Sequence, residues 1–80
     1  MVKIFDITQK GDIISCSYTP ETSDLKGYVE VDMKTHEVKS VKYSEYEYGK
    51  KMYVAHVRSK ISELLSTKQS LPKEVIAVWY

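Results

Sequence analysis

The chain has 80 residues, a mass of 9.3 kDa, 42% hydrophobic and 29% charged residues, and a formal net charge of +1. This is the balance of one ordinary globular domain, and it argues against disorder and against a dedicated nucleic-acid or acidic-membrane binder. The lone cysteine, Cys16, excludes an internal disulfide, so stability must come from one compact core.

Val2 to Thr8 reads as a first strand. Val2, Ile4 and Asp6 alternate with Lys3, Phe5 and Ile7. Gln9-Lys10-Gly11-Asp12 then forms a hairpin turn, because Gly11 accepts positive φ without a steric penalty. A second strand covers Asp12 to Thr19, with Ile14, Cys16 and Tyr18 opposite Ile13, Ser15 and Ser17. Cys16 is expected to face the core, since no cationic neighbour activates its thiol. Pro20-Glu21-Thr22-Ser23-Asp24 is a polar loop.

Gly27 to Met33 gives the clearest two-residue period. Val29, Val31 and Met33 share one face, and Tyr28, Glu30 and Asp32 share the other. A fourth strand, Glu37 to Tyr43, follows a tight Lys34-Thr35-His36 connection. One residue of such a turn sits near the left-handed region, where Gly or Asn is usual, so His36 is a departure.

A helix is expected from Gly49 or Lys50 to Ser66. Val54, Val57, Ile61, Leu64 and Leu65 form its apolar stripe, bordered by Tyr53. Ser44-Glu45-Tyr46-Glu47 has capping-box spacing and offers an earlier start at Ser44. Gly49 would then lie inside the helix, at a cost of about 1 kcal/mol. Thr67 to Pro72 breaks the helix, and Lys73 to Tyr80 reads as a final strand apolar on both sides.

The predicted order is β-β-β-β-α-β. It implies an α+β fold with a five-stranded, mainly antiparallel sheet and one amphipathic helix on one face. The chain reads as a single domain over residues 1–80, in which the last strand can lie antiparallel to the first, although the residues do not fix the strand order. The expected core is Ile4, Ile14, Cys16, Val29, Val31, Val41, Val54, Val57, Ile61, Leu64, Val75, Ala77 and Trp79. A register slip of one residue would exchange faces.

The chemistry-bearing residues are sparse. Gly11, Gly27 and Gly49 are too scattered for a phosphate loop. His36 and His56 are not at ligand spacing and no cysteine pair exists, so no metal or cofactor is expected. No serine is singled out as a nucleophile, and an enzyme is not expected. Met1-Val2-Lys3-Ile4-Phe5-Asp6 lacks the apolar run of a signal peptide. Val75 to Tyr80 is far short of the roughly 20 residues of a membrane span. With a free cysteine, this points to a soluble, cytoplasmic protein without a membrane partner.

Three features bear on function. Seven tyrosines are present, and Tyr28, Tyr46, Tyr48 and Tyr53 with His56 form a candidate interaction surface. Tyrosine also suits half-buried strands and helix starts without any ligand. His56 lies one turn after Tyr53, either in a polar cluster or as a boundary histidine. Lys50, Lys51, Arg58 and Lys60 stand in a stretch without acids and are candidate nucleic-acid contacts, with Tyr48 and Tyr53 as stacking partners. Pairing with Glu45 and Glu47 is the alternative use of the two helix-start lysines. Finally, a last strand at a sheet edge invites pairing with another copy or a partner.

Gly27-Tyr28-Val29-Glu30-Val31-Asp32, Thr35-x-Glu37-Val38, Tyr53-x-x-His56 and Pro72 through Val78-Trp79-Tyr80 together resemble small single-domain proteins of unknown function from Gram-positive bacteria. That resemblance implies no activity. Locally, Tyr28 to Val41 resembles the hairpin of PepSY domains, with its Val-Asp-x-x-Thr-Gly-Glu-Val pattern. Here His36 replaces the glycine. PepSY domains also place a helix before the hairpin and are commonly extracytoplasmic, and this chain departs on both points.

The sequence therefore predicts a non-enzymatic protein-interaction module, with an unidentified protein partner or self-association as a homodimer. The alternative is a weak nucleic-acid-binding domain using the basic helix. A third reading, a ligand site around Tyr53 and His56, requires a pocket there.

Overall fold

The computed structural model describes residues 1–21, 23–47, 52–67 and 70–78. Its strands are β1 (Val2–Lys10), β2 (Ile13–Pro20), β3 (Gly27–Asp32), β4 (Val38–Lys42) and β5 (Val75–Ala77). One helix, α1 (Met52–Ser66), precedes β5, and a short 3-10 turn spans Glu45–Glu47. The sheet order is β4-β3-β2-β1-β5, and every neighbouring pair is antiparallel. This is the α+β sheet-and-helix arrangement that the residue periods predict; the strand order, with β5 beside β1, comes from the structure.

Strand β1 does not keep its alternation. The pairing with β2 shifts between Phe5 and Thr8, so Asp6 and Ile7 together oppose Cys16. Asp6 sits at φ 52, the left-handed conformation that one class of bulge requires. Asp tolerates it better than most residues with a side chain. The extra residue returns Ile7 to the core face with Val2 and Ile4, where it is 7% exposed. Simple alternation places Ile7 beside Phe5, and the bulge corrects that expectation. The Ile7 amide then donates to the Lys73 carbonyl at 3.1 Å, tying β1 to the approach of β5.

The core lies between α1 and one face of the sheet. Val2, Ile4, Ile14, Cys16, Tyr18, Val29 and Val31 meet Tyr53, Val54, Val57 and Ile61. Val41, Leu64 and Val75 are only partly buried, which corrects their expected places in the centre. Val2, Ile7, Tyr18 and Tyr53 join the core instead. Trp79 lies outside the described residues, as do Tyr48, Lys50, Lys51 and the expected helix start at Gly49. Ser44 caps the 3-10 turn, accepting the Tyr46 amide at 3.2 Å, and within the described residues that turn and α1 are separate elements.

Burial pushes the Cys16 thiol up to about 12. A thiol reagent at pH 8 should therefore label native protein only as fast as the chain unfolds. Labelling that stays fast without denaturant, measured by mass spectrometry, would contradict this placement.

The β3–β4 hairpin explains the histidine in its turn. His36 adopts φ 61, as the turn demands. Its Nδ1 lies 2.6 Å from the Ser62 hydroxyl on α1. Arg58 of α1 donates from Nε to the His36 carbonyl at 2.8 Å. A glycine would relax the backbone and lose the ring's contact with Ser62, while keeping the carbonyl that Arg58 reaches. Ala at this position should cost about 1 kcal/mol more than Gly, because both lose the ring and only Ala keeps the strain. Equal urea midpoints for His36→Ala and His36→Gly would show the turn to be unstrained.

Asp32 opens the same turn. Its Oδ1 accepts the Lys34 amide at 2.7 Å and the Thr35 amide at 3.1 Å. The Thr35 and then the Lys34 amide hold its carboxyl below the usual aspartate range. A depressed folded pKa means that the stabilisation is present above the unfolded value and is lost as pH falls through the folded one. The urea midpoint should thus fall on acidification below about pH 4, and less so in Asp32→Asn. Identical acid profiles for the two proteins would rule out this contribution.

Candidate functional site

With α1 on one side, the other face of the sheet carries no helix among the described residues. Antiparallel register aligns its side chains in rows. Phe5 is opposite Ser17, Ser17 opposite Tyr28, and Tyr28 opposite Lys42. The next row runs from Ile76 through Lys3 to Thr19. Tyr28 is 39% exposed, Ile76 55% and Met1 41%. Two ammonium groups lie over the Phe5 ring, Lys26 at 5.4 Å and Lys3 at 5.8 Å from its centroid. At this distance the ring's negative face attracts both cations. Met1, Phe5 and Ile76 form the apolar side of an open hollow of about 380 Å³ there, with Lys3 and Lys26 at its rim.

Glu21 borders this hollow and belongs to the framework. It sits at φ 52, and its Oε2 accepts both the N-terminal amino group at 2.9 Å and the Tyr53 hydroxyl at 2.8 Å. The amino group, and after it the Tyr53 hydroxyl, hold its carboxyl below the usual glutamate range. Tyr53 is thereby a core residue, 9% exposed, and its ring meets Tyr46 edge-on at 5.9 Å. This removes Tyr53 from the surface the tyrosine count suggests. Tyr46 is half-buried, and Tyr28 remains exposed. Tyr43, 40% exposed, joins it.

The basic helix offers less than its sequence implies. Arg58 is engaged with the His36 carbonyl, and Lys60 pairs with Glu63 at 3.3 Å with only 24% of its side chain exposed. His56 is half-buried beside a hollow of about 140 Å³ between α1 and β5. That is below the roughly 300 Å³ at which small-molecule sites begin. The structure thus does not gather Tyr28, Tyr46, Tyr53 and His56 into one surface. Phe5, Lys3 and Lys26 were missed by sequence reasoning. The period-two pattern carried the signal for Phe5 and Lys3, since both fall opposite the core residues of β1. Lys26 precedes its strand, and only the fold brings it over the ring.

No helix of the described residues is long and apolar enough to cross a membrane. No family model, curated protein or solved structure matches the chain.

Proposed function

We propose that this chain is a non-enzymatic protein-interaction domain of the cytoplasm, and that its recognition surface is the helix-free face of the sheet. One observation carries the reading. Phe5 and Tyr28 lie in a single cross-strand row on the face away from α1, with Met1 and Ile76 beside Phe5. Exposed apolar side chains scattered singly need no explanation, whereas a gathered patch marks an interaction site. Aromatic rings give large contact areas at a low cost in side-chain entropy. The buried, free Cys16 suits a reducing compartment.

The test places a photo-crosslinking phenylalanine analogue at Phe5, at Tyr28 and, as a control, at the exposed Ala55 of α1. A discrete protein adduct from the first two positions and none from Ala55 supports the proposal. Absence of adducts at Phe5 and Tyr28, or the same adduct from Ala55, removes it.

The cations around Phe5 support a second reading, weak binding of single-stranded nucleic acid, on the sheet and not on the helix. It requires oligonucleotide-induced amide shifts at Lys3, Phe5, Lys26 and Tyr28 that fade as salt rises. Shifts confined to α1, or no shifts, would dismiss it.

A further inference from the structure

The two edges of the sheet are built differently. β4 carries Lys39 and Lys42 and a register shift opposite Glu30 and Val31. Lysines and irregular pairing are the usual means of keeping a strand edge from joining another chain. β5 carries neither a lysine nor an irregular pairing, and only its length of three residues limits it. Val75, Ile76 and Ala77, with Val78 after them, form an uncharged apolar segment. Ile76 is 55% and Val78 56% exposed. One side of β5 pairs with β1, and no described strand lies along the other. Hollows lie against β5 on both faces of the sheet. One, of about 140 Å³, separates Ala77 and Val78 from the His56–Glu63 flank of α1. The other, of about 370 Å³, lies beside Lys3, Glu74 and Ile76 on the helix-free side.

We propose that β5 is a dimerisation strand. Two copies of this chain pair β5 against β5, antiparallel about a two-fold axis, and join their sheets into one. The proposal rests on the protein-interaction reading but uses the edge of the sheet and neither Phe5 nor Tyr28; Ile76 borders both surfaces, so the Phe5 and Tyr28 variant below is what distinguishes the two.

Symmetry selects a second copy as the occupant. Pairing β5 with β5 uses the same segment on both chains and closes after two. Pairing β5 with the β4 edge of another copy would propagate into a filament, and the β4 lysines and irregular register oppose it. The antiparallel arrangement brings Lys73 and Glu74 of each copy towards the C-terminal end of the other β5. There α1 presents Lys60 and Glu63, so each end meets charges of both signs. A net charge of +1 adds little long-range repulsion between copies. The paired segment is short, and interfaces below about 1,200 Å² belong to weak, transient associations. The dimer is therefore concentration-dependent.

Sedimentation velocity across a concentration series tests this on the wild type, on a variant with Ile76→Lys and Val78→Lys, and on one with Phe5→Ala and Tyr28→Ala. Ile76 and Val78 are exposed, so the lysine variant keeps its fold, as its amide spectrum will show. The expected result is a wild-type dimer that the lysines weaken at least about tenfold. The Phe5 and Tyr28 changes should leave it intact, which separates this proposal from the one above. Amide exchange at Val75 to Val78 should slow as concentration rises. A wild type that stays monomeric throughout overturns the proposal, even if β5 becomes protected by some other protein. So does a dimer indifferent to the lysines.

Discussion

Gly27→Ala should lower the unfolding free energy by about 3 kcal/mol, the upper range for forcing extra volume into a packed site. A Cβ built on Gly27 would stand 2.3 Å from Cε1 and Cζ of Tyr18 and 2.6 Å from its hydroxyl oxygen. The ring cannot simply swing away. Tyr18 is fully buried, and its hydroxyl accepts the Ser44 amide at 3.0 Å. Ser44 in turn donates from its own hydroxyl to the Leu25 carbonyl at 2.5 Å. Moving the ring therefore disturbs the link between the start of β3 and the 3-10 turn. Urea unfolding measures the loss. The double variant Tyr18→Leu with Gly27→Ala should cost less than the sum of the single changes, because leucine vacates the space above Gly27. Strict additivity would show that the ring is not the cause.

Ile61→Ala should cost between about 2 and 5 kcal/mol. Ile61 and Val57 are fully buried, and with Tyr53 and Val54 they are, among the described side chains, the buried ones by which α1 rests on the sheet. Leu64 and Leu65, one turn on, are only partly covered. Removing Ile61 leaves a cavity under α1 that the partly buried Leu64 and Leu65 and the polar links to His36 do not fill. The urea midpoint should fall, and amide exchange should accelerate throughout α1. An unchanged midpoint with full protection of α1 would mean that another contact anchors the helix.

The antiparallel sheet and the helix stripe were legible because each rests on a local period. Val29 and Val31 repeat every second residue, and Val54, Val57 and Ile61 every third or fourth. The odd histidine of the hairpin was also legible as an anomaly, though its hydroxyl partner Ser62 lies 26 residues away. What escaped were the features that depend on register between distant segments. Nothing near Gly27 announces that Tyr18 will lie across it. Tyr53 reads as a helix-border aromatic until Glu21 is brought to its hydroxyl. Asp6 carries no glycine-like signal, so the alternation of β1 appears unbroken. The candidate surface was half-visible for the same reason. Tyr28 could be placed by its strand, whereas the meeting of Phe5 with Lys26 depends on the loop before β3.

The left-handed residue in β1 also bears on how this chain can change its length. Phe5 pairs with Ser17 and Thr8 with Ser15, with two residues of β1 spanning the single Cys16 between them. Loss of Asp6 would set Ile7 directly against Cys16 and leave Phe5 and Thr8 with the partners they already have. Loss of a residue between Val2 and Phe5 would instead turn part of the strand over and carry apolar side chains to the opposite face. Position 6 is the point in β1 where descendants of this sequence can shorten without exchanging inside for outside.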